Sequence, residues 1–140
     1  IEVKKKFSSP KIIKRKFYVQ IRPKLIEFLQ SIVQNYNIFF YTASEKEYAK
    51  EIVSKILEDA FQSQNTYLKD FEYYKSNLDN IIFSRECCTF MNGYEIKDLR
   101  ILNKPLSDVI LIDDIQGSGL LQPMNSLIIR RFMANLMITF

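Results

Sequence analysis

The chain has 140 residues, enough for one domain with a sizeable core, and its 47% hydrophobic and 26% charged residues are typical of a soluble globular protein. It contains no histidine and only two cysteines, Cys87 and Cys88. Serine-type and papain-type triads and the usual zinc sites are therefore excluded, and any chemistry must rely on carboxylates, lysines and hydroxyls. The longest apolar runs have the length of a strand, so we expect no membrane span in residues 1–140.

Positive charge is concentrated at the start of the chain. Residues 1–24 carry nine lysines and arginines against one acid, Glu2, although the net charge of the whole chain is only +4. This basic arm (residues 1–20) either attracts nucleic acid or a phosphorylated partner, or forms the solvated flank of a hairpin. No aromatic stacking pattern accompanies the lysines, so we do not expect nucleic acid binding.

The first predicted elements are a strand, a helix and a second strand. Residues 11–21 end in an alternating apolar pattern that predicts a strand. Pro23 suits the first turn of a helix whose apolar residues recur at helical spacing to about Asn35. A short apolar strand follows over Asn37–Thr42.

A helix is predicted to begin at Ser44, because Glu47 lies three residues later and completes a capping box. Its apolar stripe continues to Leu57. Residues 59–79 are polar and aromatic, with only weak helical periodicity. We expect this segment to be an insertion that packs on the outside of the domain.

The second half of the chain is predicted to contain a hairpin and three further strands. Asn92-Gly93 separates Cys87–Met91 from Tyr94–Lys97, and this dipeptide strongly indicates a two-residue hairpin turn. The other predicted strands are Asn80–Ser84, Val109–Asp113 (buried and parallel) and Ser126–Arg130. Strands that alternate with helices indicate the α/β class, with a mainly parallel sheet covered on both faces.

Two predicted strands end in polar residues, at the edge where open α/β sheets bind ligands. The first ends in Thr42-Ala43-Ser44 and leads into a helix, whose N-terminal N–H groups suit a phosphate oxygen. Ser44 is also explained as a helix cap. The second strand ends in Asp113-Asp114, which either hold a hard cation such as Mg²⁺ or cap the following segment.

Two cations complete the set of candidate residues. Lys97 closes the predicted hairpin and Arg85 precedes it. Near a Mg²⁺-carboxylate edge they would stabilise charge on a transferring phosphoryl group, whereas each taken singly is an ordinary surface charge.

Five short segments occur in an order and spacing that resemble a known family. They are Arg22-Pro23 with Glu27-Phe28-Leu29, Tyr41-Thr42-Ala43-Ser44, Arg85-Glu86 with Cys88, Tyr94 with Lys97-Asp98-Leu99, and Val109-Ile110-Leu111-Ile112-Asp113-Asp114. Together they resemble the phosphatase domain of the small C-terminal-domain phosphatases, or NLI-interacting-factor-like phosphatases, of the haloacid dehalogenase superfamily. The resemblance runs from about Arg22 to Ile129.

The resemblance implies a three-layer, Rossmann-like haloacid-dehalogenase fold with a small β-hairpin insertion. It implies that Thr42 holds phosphate, that Lys97 is the lysine of the third motif, and that Arg85 contacts substrate. Asp113 would be a Mg²⁺ ligand with Asp114 beside it. The implied reaction is Mg²⁺-dependent hydrolysis of phosphoserine or phosphothreonine in a protein substrate through a phospho-aspartate intermediate.

One motif of that family is missing. Its first motif, D-x-D-x-T, supplies the nucleophile and should lie before Arg22, yet the sole acid among residues 1–21 is Glu2. We expect the motif to lie upstream of Ile1 in an intracellular protein, nuclear or cytoplasmic rather than mitochondrial. The alternative is an inactive binding module similar to the mitochondrial presequence-translocase receptor.

Overall fold

The computed structural model describes residues 2–5 and 15–133, with side chains from residue 18 onward. Part of the basic arm, residues 6–14, therefore lies outside the described residues. Backbone contacts divide the chain into two compact units, Ile1–Glu86 and Cys87–Phe140, which we call the first unit and the second unit. No helix in the described part of the chain is both long and apolar enough to cross a membrane.

The first unit combines helices with two small sheets. Its strands are β1 (Glu2–Lys5), β2 (Arg15–Tyr18), β3 (Phe40–Tyr41) and β4 (Ile82–Phe83), and its α-helices are α1 (Leu25–Ile32), α2 (Lys46–Leu57), α3 (Leu68–Ser76) and α4 (Leu78–Ile81). β1 and β2 pair antiparallel, whereas β3 and β4 pair parallel with Phe40 opposite Ile82. A π-helical turn (Glu58–Gln62) extends α2. The predicted elements are present, with shorter bounds.

A single hydrophobic core holds the first unit together. The predicted apolar stripe of α2 is confirmed, because Ala49, Val53, Ile56 and Leu57 are all buried. Leu29 on α1, Ile38 just before β3 and Ile82 on β4 belong to the same cluster. Burial of each such side chain stabilises the fold by roughly 1.5–3 kcal/mol relative to exposure.

The expectation that residues 59–79 pack on the outside is wrong. Ala60, Phe61 and Tyr74 belong to the core cluster, and Phe71 packs against it. The Tyr74 hydroxyl also accepts a hydrogen bond from the Ile38 N–H group at 3.0 Å. The segment is polar on average, so its mean composition predicts exposure. Its aromatic residues nevertheless lie on one side and fill part of the core.

The capping box predicted at Ser44 is also wrong. Helix α2 begins at Lys46, and its cap residue, Glu45, makes no side-chain capping hydrogen bond. The Ser44 N–H group instead donates to the Thr42 hydroxyl oxygen at 3.1 Å. Hydroxyl side chains compete in this way with helix caps, and here Thr42 organises the turn.

The second unit contains two strand pairs joined by 3₁₀ turns. The strands are β5 (Thr89–Met91), β6 (Tyr94–Ile96), β7 (Leu111–Asp113) and β8 (Ser126–Ile128). The hairpin predicted at Asn92-Gly93 is confirmed: both residues have positive φ, 53° and 79°, as a two-residue type I′ turn requires.

The pair of β7 and β8 is parallel, as predicted for residues 109–113. Leu111 and Asp113 are buried, but Ile112 between them is 41% exposed, so the prediction of a buried strand is confirmed for one face only. Side chains alternate between the faces of a strand, and only one face of this pair is covered. The described residues thus form a mixed α/β structure with two parallel and two antiparallel strand pairs.

Candidate functional site

Thr42 and Ser44 form a tight turn between β3 and α2. The Thr42 N–H group donates to the Phe83 carbonyl at 2.8 Å, which extends the pairing of β3 with β4 by one residue. The Thr42 hydroxyl then accepts the hydrogen bond from the Ser44 N–H group. Both residues are partly accessible to solvent. The turn therefore presents a hydroxyl at the carboxyl end of a parallel strand, where α/β proteins bind ligands.

Arg85 is attached to this turn by two hydrogen bonds. Its N–H group donates to the Ser44 carbonyl at 2.9 Å, and its side-chain Nε donates to the Ala43 carbonyl at 2.7 Å. Arg85 lies two residues after the end of β4 and is exposed. Because β3 and β4 are parallel, their carboxyl ends lie together, and the first unit brings Thr42, Ser44 and Arg85 to one place.

Lys97 and Asp113 form a buried ion pair in the second unit. The Lys97 ammonium donates to Asp113 Oδ2, and the two side chains are only 12% and 4% exposed. Lys97 follows β6, and Asp113 is the last residue of β7. A pair that is this well buried is costly to desolvate, so removing one partner leaves a buried charge without compensation.

Backbone contacts fix both members of the pair. The second carboxylate oxygen of Asp113, Oδ1, accepts from the Ile115 N–H group at 2.8 Å, and the Asp113 carbonyl accepts from Ile129 at the same distance. The Lys97 N–H group donates to the Ser118 carbonyl at 2.9 Å. Rotation of the carboxylate would break the two hydrogen bonds that its oxygens accept, one from the Lys97 ammonium and one from the Ile115 N–H group.

The carboxylate oxygens of Asp113 are suitable ligands for a magnesium ion, but they meet its requirements only in part. Each carboxylate oxygen carries two lone pairs, so Oδ1 and Oδ2 each accept one hydrogen bond and keep one acceptor position. Mg²⁺ is usually bound by one or two carboxylates together with water and phosphate oxygens. Asp114, half-buried, is the next residue and carries a second carboxylate. Among the described residues, no group of three or more His, Cys, Asp or Glu side chains could hold a metal ion.

A hydrogen-bonded cluster beside Lys97 was not predicted from the sequence. Asp98 caps a 3₁₀ turn (Leu99–Leu102) and is paired with the guanidinium of Arg100, which lowers the pKa of Asp98 to about 2. Gln122, which is buried, donates from Nε2 to Asp98 at 3.0 Å. No signal in the sequence indicated Gln122, because nothing local connects it to a residue 24 positions away.

The predicted site residues therefore form two groups. Thr42, Ser44 and Arg85 lie together in the first unit, and Lys97 and Asp113 are paired in the second unit. Asp114 follows Asp113 along the chain. Each group lies where a parallel strand ends, as the sequence predicted for the ends of two strands.

The chain matches a protein-family model and several known proteins, and these matches point to one family. Residues 2–137 match the model of the NLI interacting factor-like phosphatases. The chain is 30% identical over 111 residues to the mitochondrial import inner membrane translocase subunit TIM50 of Candida albicans, covering 79% of this chain and 20% of the relative. It is 27% identical over 120 residues to the CTD nuclear envelope phosphatase 1B of Danio rerio, covering 86% of this chain and 42% of the relative.

A further relative is the CTD small phosphatase-like protein of Homo sapiens, which is 30% identical over 109 residues, or 78% of this chain and 33% of that protein. The chain thus spans less than half the length of each of these relatives. Its match to the family model nevertheless covers nearly all of its residues. The chain belongs to the NLI interacting factor-like phosphatase family.

Proposed function

We propose that the protein carrying this chain is a Mg²⁺-dependent protein serine/threonine phosphatase with the three-layer haloacid-dehalogenase fold. The reaction would pass through a phospho-aspartate intermediate. The observation that carries the proposal is the buried Lys97–Asp113 pair at the carboxyl end of β7, in a chain of a phosphatase family. Two of the relatives bear the name phosphatase, which supports this choice.

In this proposal, Lys97 stabilises charge, whereas Thr42, Ser44 and Arg85 bind phosphate. The Lys97 ammonium, held in a largely dry environment, would stabilise negative charge that develops on a transferring phosphoryl group. The Thr42 hydroxyl, which lies in the turn at the carboxyl end of β3, would bind a phosphate oxygen. Arg85 and the Ser44 turn would contact the phosphate of the substrate.

Asp113, with Asp114 beside it, would hold the magnesium ion. Bound Mg²⁺ would supply positive charge that neutralises the phosphate oxygens. The contribution of the chain itself is to fix the Asp113 carboxylate, which the hydrogen bond from Ile115 and the ammonium of Lys97 keep in one orientation.

The nucleophile would come from residues outside this sequence. Before Arg22 the only carboxylate is Glu2, so no aspartate there could form the covalent intermediate. Carboxylate nucleophiles form phospho-aspartate in other enzymes, and this chemistry needs no histidine. The proposal therefore concerns the full-length protein, with a phosphorylated protein as substrate in the nucleus or cytoplasm.

The test is hydrolysis of a chromogenic aryl phosphate by the full-length protein, with and without Mg²⁺. Wild type should be active only with Mg²⁺, and Asp113→Asn should reduce kcat by about 10²–10³-fold because the carboxylate charge is lost. Asp108→Asn is the matched control, since Asp108 is exposed and lies before β7. Activity without Mg²⁺, or a fully active Asp113→Asn variant, would contradict the proposal.

A second candidate function is an inactive binding module. Its support is the 30% identity to a mitochondrial import inner membrane translocase subunit, together with the absence of a D-x-D-x-T motif before Arg22. In that case the phosphatase fold would bind a protein partner without chemistry. A full-length protein that folds, lacks the D-x-D pair and hydrolyses no phosphate ester would favour this function.

A further inference from the structure

The loop that follows β7 makes two contacts with the backbone around Lys97. The Lys97 N–H group donates to the carbonyl of Ser118 at 2.9 Å. The side chain of Gln122 binds the two residues that follow Lys97, Asp98 and Leu99. Because this loop follows Asp113 and Asp114 in the chain, the same segment that carries Asp113 also contacts the backbone beside Lys97.

Both ends of the Gln122 amide are used in this contact. Its Oε1 accepts from the Leu99 N–H group and its Nε2 donates to Asp98 Oδ1, each at 3.0 Å. A backbone N–H group can only donate and a carboxylate can only accept, so these partners determine the orientation of the amide. Gln122 is only 8% exposed, so water has little access to replace either hydrogen bond.

The backbone of Gln122 is fixed as well. Its carbonyl accepts from the Ser126 hydroxyl at 2.8 Å, and its N–H group donates to the Gly119 carbonyl at 3.1 Å. Ser126 is the first residue of β8, which pairs with β7. The amide is thus anchored to the same strand pair that carries Asp113.

We propose that Gln122 is a positioning residue for Lys97: it binds Asp98 and Leu99 and so holds the lysine ammonium against Asp113. This inference rests on the proposed function for its catalytic consequence. Gln122 would not contact the substrate. Its effect would be transmitted through the backbone directly after Lys97, and a lysine displaced by as little as 1 Å could lower the rate by about 10²-fold.

The test combines Gln122→Ala with a readout that needs no activity. Full-length protein is treated with a limiting amount of acetic anhydride, and acetylation of Lys97 is measured by mass spectrometry relative to Lys104, which is exposed. In wild type, Lys97 should react slowly because it is buried and paired. In Gln122→Ala, its acetylation relative to Lys104 should rise several-fold.

Three further variants sharpen this test. Gln116→Ala is the matched control, because Gln116 is a glutamine of the same loop with an exposed side chain. Gln122→Met removes both hydrogen bonds at similar volume and serves if the alanine variant does not fold. Asp98→Asn keeps an oxygen opposite Gln122 Nε2, so Lys97 should stay protected in it. Unchanged acetylation in folded Gln122→Met would overturn the inference.

Phosphatase kinetics then test the catalytic consequence. We expect Gln122→Met to lower kcat about tenfold or more with little change in KM, because the lysine would act on the transition state rather than on binding. Exposed Lys97 with an unchanged kcat would overturn the link to catalysis. If wild type hydrolyses no phosphate ester, the proposed function fails, whereas the acetylation result still decides whether Gln122 positions Lys97.

Discussion

The first unit and the second unit bury different kinds of side chain. The first unit buries a continuous apolar cluster that includes Leu57, Ala60 and Phe61, each with no exposed surface. The second unit buries only Ile96, Leu99 and Leu111 among its described apolar residues. The polar residues Asp113, Ser118 and Gln122 are buried in this unit as well, and they accept hydrogen bonds from the N–H groups of Ile115, Lys97 and Leu99, respectively.

The two units should therefore respond differently to mutation. Apolar packing is not directional, so the main effect of a mutation in such a core is a lower free energy of unfolding for every buried methylene that is removed. A buried polar network depends on direction, and each partner that is removed leaves another group unsatisfied. The first unit should therefore lose stability, whereas the second should lose the position of its charged groups.

The largest loss of stability is expected from Phe61→Ala. Phe61 is fully buried where the π-helical turn extends α2, and its ring packs against Tyr67 and Tyr74. The truncation should lower the free energy of unfolding by about 3–5 kcal/mol in urea denaturation of the full-length protein. Phe28→Ala, at a residue that is 41% exposed, is the control and should cost less. Equal losses would show that residues 58–62 do not contribute to the core.

The ion pair should behave differently from the core. Lys97→Met leaves the Asp113 carboxylate buried without its cation, which should lower the free energy of unfolding by about 3 kcal/mol. The double variant Lys97→Met/Asp113→Asn removes both charges and should recover most of that loss, as measured by urea denaturation. If the double variant were less stable than both single variants, the two losses would add instead of offsetting each other, which would contradict the expected coupling between the two charges.

The smallest effect is expected from Asp98. The Arg100 guanidinium lowers the pKa of Asp98 from 3.8 to about 2, so the ionised carboxylate stabilises the folded state. This contribution is present above about pH 4 and is lost as the pH falls through about 2. Because Arg100 is largely exposed and the pair is screened, we expect a contribution on the order of 1 kcal/mol.

The measurement for Asp98 is the free energy of unfolding as a function of pH, compared between wild type and Asp98→Asn. The difference between the two proteins should be constant above about pH 4 and should shrink as the pH falls towards about 2, where half of the Asp98 carboxyl groups are protonated. Asp108→Asn, at an exposed residue, is the control variant. A difference between wild type and Asp98→Asn that stays the same between about pH 4 and about pH 2 would contradict the role of the carboxylate charge.

Features with a local signal were predictable from the sequence. The Asn92-Gly93 turn requires two residues with positive φ, and these two residues tolerate it. The apolar stripe of α2 repeats at helical spacing, and its members are buried. Lys97 and Asp113 were singled out because each ends a predicted strand, and the structure shows that they are paired.

Features that depend on distant contacts were not predictable. Phe61 and Tyr74 looked like part of an external insertion, because the average polarity of residues 59–79 conceals a few inward-facing rings. The sequence predicted that Ser44 caps α2, but the helix begins later, and the Ser44 N–H group donates a hydrogen bond to the Thr42 hydroxyl. The contact between Asp98 and Gln122 joins residues 24 positions apart, which no periodicity or turn preference indicates.

The most direct test of the central claim, that the Lys97–Asp113 pair serves phosphate chemistry, uses the double variant Lys97→Met/Asp113→Asn. The measurement is the rate of Mg²⁺-dependent phosphate release from a phosphoserine peptide, expressed per folded molecule of full-length protein. We predict that wild type releases phosphate and that the folded double variant is slower by at least about 10²-fold. A folded double variant that releases phosphate at the wild-type rate would contradict the account.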